Sequence, residues 1–242
     1  MPKKPFFRRI LLKLSGESCQ GPAGSLDPAA IMSAAQLVKE GWQSGTQIAL
    51  ILGAGNIFRG LSGCRQGMSR NCADNMGMLA TAINALAMRD ALEALQVPAE
   101  IQSALAISGV LPPFDYRQAD LLLQAGKVLL FAGGTGHPFF TTDSTAALRA
   151  CEINADAVFK ATQVNGIYSA DPKKNPHAVR YAKISFARAL RERLKVMDST
   201  AFSLCQDNNL PIVVFKFGEK GTLAEILQGN FQNATLVSNE ED

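Results

Sequence analysis

Residues 128–150 read VLLFAGGTGHPFFTTDSTAALRA. The run Val128 to Ala132 is apolar on both faces, as in a strand buried between helical layers, and it passes straight into glycines. Beyond the loop, Asp143-Ser-Thr before Ala146 and Ala147 is a cap-like opening to a helix, and in isolation Asp143 reads as its N-cap. The loop carries Phe139 and Phe140, which a solvated segment has no use for. They either plug a core or line a pocket, and the rest of the chain decides between these.

Four further apolar runs resemble the first: Ile10 to Leu14, Ile48 to Leu52, Ala157 to Lys160 and Ile212 to Phe215. Between them lie helical patterns. Asp27 is a good N-cap with Pro28 behind it, and Ile31, Ala35, Val38 and Trp42 share one face before Gly45. A second pattern spans Asn75 to Gln96, keeps Met76, Leu79, Ala80, Ile83 and Ala87 together, and stops before Pro98. In this pattern Asp74 reads either as a cap or as a functional carboxylate. Strands alternating with helices predict an α/β fold, a three-layer α/β/α sandwich with a mainly parallel central sheet, in which ligands gather at the carboxyl ends of the strands. One domain spans 1–242, with lobes at about 8–150 and 151–237 and a mobile acidic tail at 238–242.

A chain of 242 residues, 47% hydrophobic and 19% charged, is an ordinary globular composition. A net charge of +3 is too small for a nucleic-acid footprint, so an anionic ligand needs a local cluster of cations. The five cysteines (Cys19, Cys64, Cys72, Cys151 and Cys205) form no C-x-x-C pair and read as reduced, mostly buried thiols. The basic stretch Met1 to Arg9 leads into too short an apolar run for a signal peptide, and no segment is long enough to span a membrane. The expected location is the cytoplasm.

Three strands run into glycine-rich polar segments: Lys13-Leu14-Ser15-Gly16-Glu17, Gly53-Ala54-Gly55-Asn56-Ile57-Phe58-Arg59-Gly60, and the loop after Ala132. Glycine lets backbone N–H groups close on an anion, and a following helix adds the favourable end of its dipole, so several such segments at one sheet edge point to a polyphosphate. Neither G-x-x-x-x-G-K-S/T nor G-x-G-x-x-G occurs. Each charged residue also has a plain structural reading: Lys13 as a surface side chain, Arg59 as half of a surface salt bridge. His137 and His177 do not read as metal ligands, and no metal-binding residue is assigned.

Taken together, Lys13-Leu-Ser-Gly-Glu, Gly-Ala-Gly-Asn-Ile-Phe-Arg-Gly, Ala-Asp74-Asn-Met-Gly-Met-Leu-Ala-Thr, the loop at 133–143, Lys160-Ala-Thr-Gln-Val-Asn-Gly-Ile-Tyr-Ser-Ala-Asp-Pro and Lys195-Val-Met-Asp198 occur in the order of, and resemble, the motifs of the bacterial uridylate kinases of the amino acid kinase superfamily. The resemblance implies transfer of the γ-phosphoryl group of Mg-ATP to UMP, giving UDP and ADP in pyrimidine nucleotide biosynthesis, by a homohexamer needing no nucleic acid or membrane. It places Lys13, Leu14, Ser15, Gly16, Gly55 and Arg59 against the phosphates, and Thr162, Tyr168 and Asp171 beside the ATP. Ala54, Asp74, Thr135, Gly136, His137, Pro138, Phe139, Phe140, Thr141 and Thr142 fall to UMP. Lys13, Arg59, Asp143 and Asp198 form the catalytic set, and Mg2+ with ATP is the cofactor. The lobe at 8–150 becomes the acceptor side and that at 151–237 the ATP side.

The chain departs from the family pattern at Ala54, His137, Gln163 and Asn165, where glycine, asparagine, lysine and aspartate are usual. Two rival readings stay open. An amino acid kinase forming an acyl phosphate would share the Lys13 loop but give no use to Asp74 or Phe-Phe-Thr-Thr. A non-catalytic nucleotide-binding storage or sensor protein of the same fold would not need the full set Lys13, Arg59, Asp143 and Asp171.

Overall fold

The computed structural model of the chain describes residues 5–60, 63, 67–194 and 196–240. Met1 to Lys4, Cys64, Lys195, Glu241 and Asp242 lie outside the described residues. The strands are β1 (Arg9–Leu14), β2 (Gln47–Leu52), β3 (Ala99–Ser103), β4 (Val128–Ala132), β5 (Ala157–Thr162), β6 (Ile167–Tyr168), β7 (Arg180–Tyr181), β8 (Lys183–Ser185), β9 (Ile212–Lys216) and β10 (Ala234–Ser238). The helices are α1 (Pro28–Gln43), α2 (Arg70–Ala94), α3 (Tyr116–Gln124), α4 (Thr142–Glu152), α5 (Phe186–Arg191), α6 (Ser199–Asp207) and α7 (Thr222–Leu227).

Eight strands form one sheet in the order β3-β4-β2-β1-β5-β9-β10-β8, and β6 pairs with β7 apart from it. The ladders from β3 to β9 are parallel, while β10 runs antiparallel to β9 and parallel to β8. Alternation along β1 sends Ile10, Leu12 and Leu14 to a core shared with α1, α2 and α7. It sends Leu11 to the opposite core, shared with α4 and α6. Both faces of the sheet are therefore covered, which is why its central strands are mostly apolar on both faces.

All five expected strands form, most of them a residue or two longer than their apolar runs. The strands that the pattern does not reveal, β3 and β10, carry Glu100, Gln102, Thr235 and Ser238 and lie towards the sheet edges, while β6, β7 and β8 have at most three residues. Helix α1 forms as expected, with Asp27 accepting from the N–H groups of Ala29 and Ala30. Gly45, at φ 85°, follows its end in the left-handed region that glycine tolerates.

The second helix corrects its expectation twice. It begins at Arg70 behind the cap Ser69, so Asp74 is inside the helix and caps nothing. Its buried face is made by Ala73, Met78, Ala82, Ala85, Met88 and Leu92, whereas Met76, Leu79 and Ile83 are exposed. Small alanines let the helix approach the sheet closely, so the larger apolar stripe faces outwards. At the other end of the chain, Asn239 donates to the carbonyl of Gln206 and to Asn209 Oδ1.

Cys19 and Cys205 are buried, and burial pushes their thiols up to about 11 and about 12. Cys151 is half-buried, and Cys72 is exposed, contrary to the general expectation of buried thiols. Phe159 on β5 is fully buried, with its ring edge-on to Phe7 at 5.2 Å and to Phe215 at 6.3 Å. Replacing it by alanine opens a cavity at the centre of the sheet. We expect Phe159→Ala to lower unfolding stability by about 3–5 kcal/mol, read from the shift in denaturant midpoint at unchanged slope.

Candidate active site

The carboxyl ends of β1, β2, β4 and β5 converge on one rim. Lys13 lies on the same face of β1 as Leu11, and Lys160 is its register partner on β5. Two like charges side by side on adjacent strands repel, and the arrangement requires an anion between them. Asp143 supplies it: Oδ2 lies 2.7 Å from Lys160 Nζ and Oδ1 lies 3.3 Å from Lys13 Nζ. Lys160 Nζ also donates to the carbonyl of Val196 at 2.7 Å. Oδ1 has no hydrogen-bond partner despite its burial, so Lys13 faces it as a charge without closing a well-directed bond.

The side chains of Lys13 and Asp143 are only 14% and 15% exposed, which removes the reading of Lys13 as a surface residue. Burial alone would raise the pKa of Asp143, but the charges of Lys13 and Lys160, with the Lys160 hydrogen bond, outweigh it and hold the carboxyl below 3.8. Burial lowers the pKa of Lys160, Asp143 opposes this, and the Lys13 charge reinforces it, leaving a net depression.

The N-cap of α4 is Thr141, whose hydroxyl accepts from the N–H groups of Asp143 and Ser144, so Asp143 is free of the capping role its sequence position offered. Asp198 secures that cap. Its carboxylate accepts from the hydroxyls of Thr141 and Ser144 while capping α6 through Ala201 N–H. It therefore contacts the neighbours of Asp143 and makes no ion pair with Lys13.

The glycine-rich ends of β1 and β2 lie against one another. A Cβ on Gly16 would come within 2.4 Å of Asn56 Oδ1 and 2.7 Å of the Gly53 carbonyl, so only glycine fits. Beneath them is a buried amide pair. Asn84 Nδ2 donates to Asn56 Oδ1 and to the Gly53 carbonyl, and Asn56 Nδ2 donates to Asn84 Oδ1 and the Ser25 carbonyl. Ala54 is not at positive φ, so its extra methyl is accommodated.

Two clefts flank the lysine–aspartate cluster. The first, about 240 Å³, is lined by Ala54, Gly55, Arg59, Asp74, Thr135, His137, Phe140, Thr141 and Thr142 among others. Arg59 pairs with Glu17 at 2.6 Å, both exposed, so its salt-bridge reading holds while it also lines the cleft. Phe139 and Phe140 are 64% and 50% exposed, which excludes the core-plug reading for both. Phe140 faces the cleft, while Phe139 lies beneath the Arg70 guanidinium, 5.2 Å from its ring centroid. Phe139 has φ 73°, a conformation that costs a non-glycine residue about 1–3 kcal/mol.

The second cleft, about 540 Å³, gathers Lys160, Thr162, Tyr168 and Asp171 with Val164, Ile167, Leu194, Val196 and Val214. An adjoining hollow is lined by Ser15, Glu17, Lys160, Thr162, Gln163 and Phe217. Tyr168 donates its hydroxyl to Asn165 Oδ1, and Asp171 accepts from Lys173 N–H. Lys160 thus borders both hollows.

Sequence reasoning gave no role to Lys160, Asn84 or Arg70. The signal for Lys160 was a lysine at the end of an apolar strand opposite Lys13, and for Asn84 an amide at a core-facing helical position. Among the described residues no group of three or more His, Cys, Asp or Glu could hold a metal ion, and no helix is long and apolar enough to cross a membrane.

Comparison with known proteins places this geometry. A model described as the amino acid kinase family matches residues 8–216. The uridylate kinase of Zymomonas mobilis subsp. mobilis is 49% identical over 243 residues, covering 100% of each chain. That of Erythrobacter litoralis is 50% identical over 226 residues, covering 93% of this chain and 95% of the relative. The crystal structure of UMP kinase from Bacillus anthracis superposes with a TM-score of 0.92 at 33% identity, covering 97% of each chain.

The two lysines set the titration of the aspartate between them. The folded carboxyl lies below its ordinary 3.8, so its contribution to stability is complete above that pH and is lost as the pH falls through the lower folded value. In Lys160→Met one cation is gone, and Asp143 should titrate at higher pH than in the unaltered protein, as followed by carboxyl 13C NMR. An unchanged titration would show that Lys160 does not hold this carboxylate.

Proposed function

The chain belongs to the amino acid kinase family, and on that premise we propose that it is a UMP kinase, transferring the γ-phosphoryl group of ATP to UMP. The observation that carries the reading is the Lys13–Asp143–Lys160 cluster set between two clefts at the rim of one sheet. The cleft containing Asp74 and Phe140 takes the acceptor, and that containing Thr162, Tyr168 and Asp171 takes the adenine nucleotide. The lobes at about 8–150 and 151–237 correspond to these two sides.

The acceptor is already a phosphate, so no strong base is needed to expose a nucleophile. The obstacle is repulsion between two anions that must meet in line, and positioning with charge stabilisation supplies most of the catalysis. Lys13 projects towards the transferring group, and the N–H groups of Gly16 and Gly55 lie on closely apposed loops that can follow the phosphates. Arg59 donates from Nε to the Gly55 carbonyl and makes an exposed pair with Glu17, of a kind worth about 0–1 kcal/mol, so a phosphate dianion readily takes the carboxylate's place. Asp143 orients Lys13, Lys160 anchors Asp143, and Asp198 holds the helix start that carries both Thr141 and Asp143.

Mg2+ arrives with ATP. The carboxylates near the centre are committed to lysines and caps, which suits an ion carried mainly by nucleotide phosphates, where it neutralises charge. The exposed stripe Met76, Leu79 and Ile83 on α2 supports self-association, and the homohexamer implied by the resemblance is the assembly proposed. A cytoplasmic setting follows from the same reading.

Coupled ADP-release assays with UMP, CMP, dTMP, glutamate and aspartate as acceptors test the assignment. UMP should be strongly preferred, and turnover confined to an amino acid, or absent with nucleotide still bound, would overturn it. Lys13→Ala and Asp143→Ala should each lower kcat by about a hundredfold with much smaller effects on nucleotide binding. Near-normal turnover in either folded variant would remove that residue from the reacting centre.

A further inference from the structure

Arg70 is oddly placed for a residue whose only task is helix stability. As the first residue of α2 it sets a cation at the positive end of the helix dipole, and it precedes its acidic partner Asp74 by four residues, the less favourable order for such a pair. Its contacts account for the placement. Arg70 Nε donates to Asp74 Oδ2 at 2.6 Å, and the Phe139 N–H donates to the same oxygen at 2.7 Å. The guanidinium also covers the Phe139 ring. Arg70, Asp74 and Phe139 thus form a clasp between α2 and the glycine loop after β4.

Both donors converge on Oδ2, and among the described residues no hydrogen bond is made to Oδ1. Oδ1 lies over Gly60, where a Cβ would approach it to 2.9 Å, so the glycine leaves this oxygen room. Asp74 itself lines the acceptor cleft. From this geometry we propose that Arg70 is a positioning residue for the acceptor: it saturates one carboxylate oxygen of Asp74 so that the other is presented, at a fixed angle, to the hydroxyls of the acceptor sugar. Through Phe139 it also fixes the backbone that carries Phe140 into the cleft. The inference rests on the acceptor reading given above.

Without Arg70 the carboxylate is free to rotate, and acceptor recognition weakens while the adenine side is untouched. Initial rates of the full chain, with UMP, dUMP and ATP varied in turn, test this. In Arg70→Ala the KM for UMP should rise about tenfold, the KM for ATP should stay within about twofold, and the preference for UMP over dUMP should fall. Arg70→Lys keeps the charge but loses the planar group over Phe139, and should give an intermediate rise in UMP KM. If the alanine variant does not fold, the lysine variant carries the test alone by the same split between substrates.

An unchanged UMP KM with unchanged discrimination against dUMP, or equal rises for UMP and ATP, would overturn the proposal. The unaltered protein separates the two levels of failure. If it does not phosphorylate UMP, the acceptor reading falls and this inference with it. If it does, and the variants behave as just described, only the role of Arg70 is lost.

Discussion

The structure turns on a repulsion. Lys13 and Lys160 are register partners on adjacent parallel strands, both turned to the same face, in strands otherwise made mostly of apolar side chains. Such a pairing is tolerable only because α4 starts at that rim and delivers Asp143 between the two ammonium groups. The position of α4 depends in turn on the Thr141 cap and on Asp198, which binds both Thr141 and Ser144. A loop shift that withdrew the carboxylate would leave two partly buried cations unneutralised, a costly state. Electrostatic necessity thus fixes the helix start, and the helix start fixes the site.

The same logic explains the asymmetric satisfaction of Asp143. One oxygen is firmly hydrogen-bonded to Lys160, whose own second bond reaches the Val196 carbonyl. The other faces Lys13 without a directed bond. Lys160 is therefore anchored at two points, while Lys13 is held mainly by charge.

Much of this was legible in the chain. Buried parallel strands declare themselves as apolar runs, and Asp27 with Pro28 fixes the start of α1 because capping is a local interaction. The glycine-rich strand ends meet at the rim where the candidate site lies, and Lys13 and Asp143, both in the set implied by the resemblance, form an ion pair there. The start of α2 was misplaced because Ser69 competes with Asp74 as a cap, and only tertiary contact with Phe139 decides between them. Its buried face was misread because the close approach of α2 to the sheet selects alanine over the larger Met76, Leu79 and Ile83. Lys160 and Asn84 escaped notice because their partners lie on other elements, and no local pattern records a partner over that distance; the Arg70–Asp74 pair is local, but the contact of Arg70 with Phe139 is not.

The sheet runs without a break from β3 to β8, and β1, β2, β4 and β5 are neighbours in one hydrogen-bonded ladder. The two clefts thus share a single floor. Substrates on it cannot be brought together by swinging one half of the molecule on the other without tearing that ladder. Any tightening over the candidate site is left to the segments above the rim, while the β-layer serves as a fixed anvil.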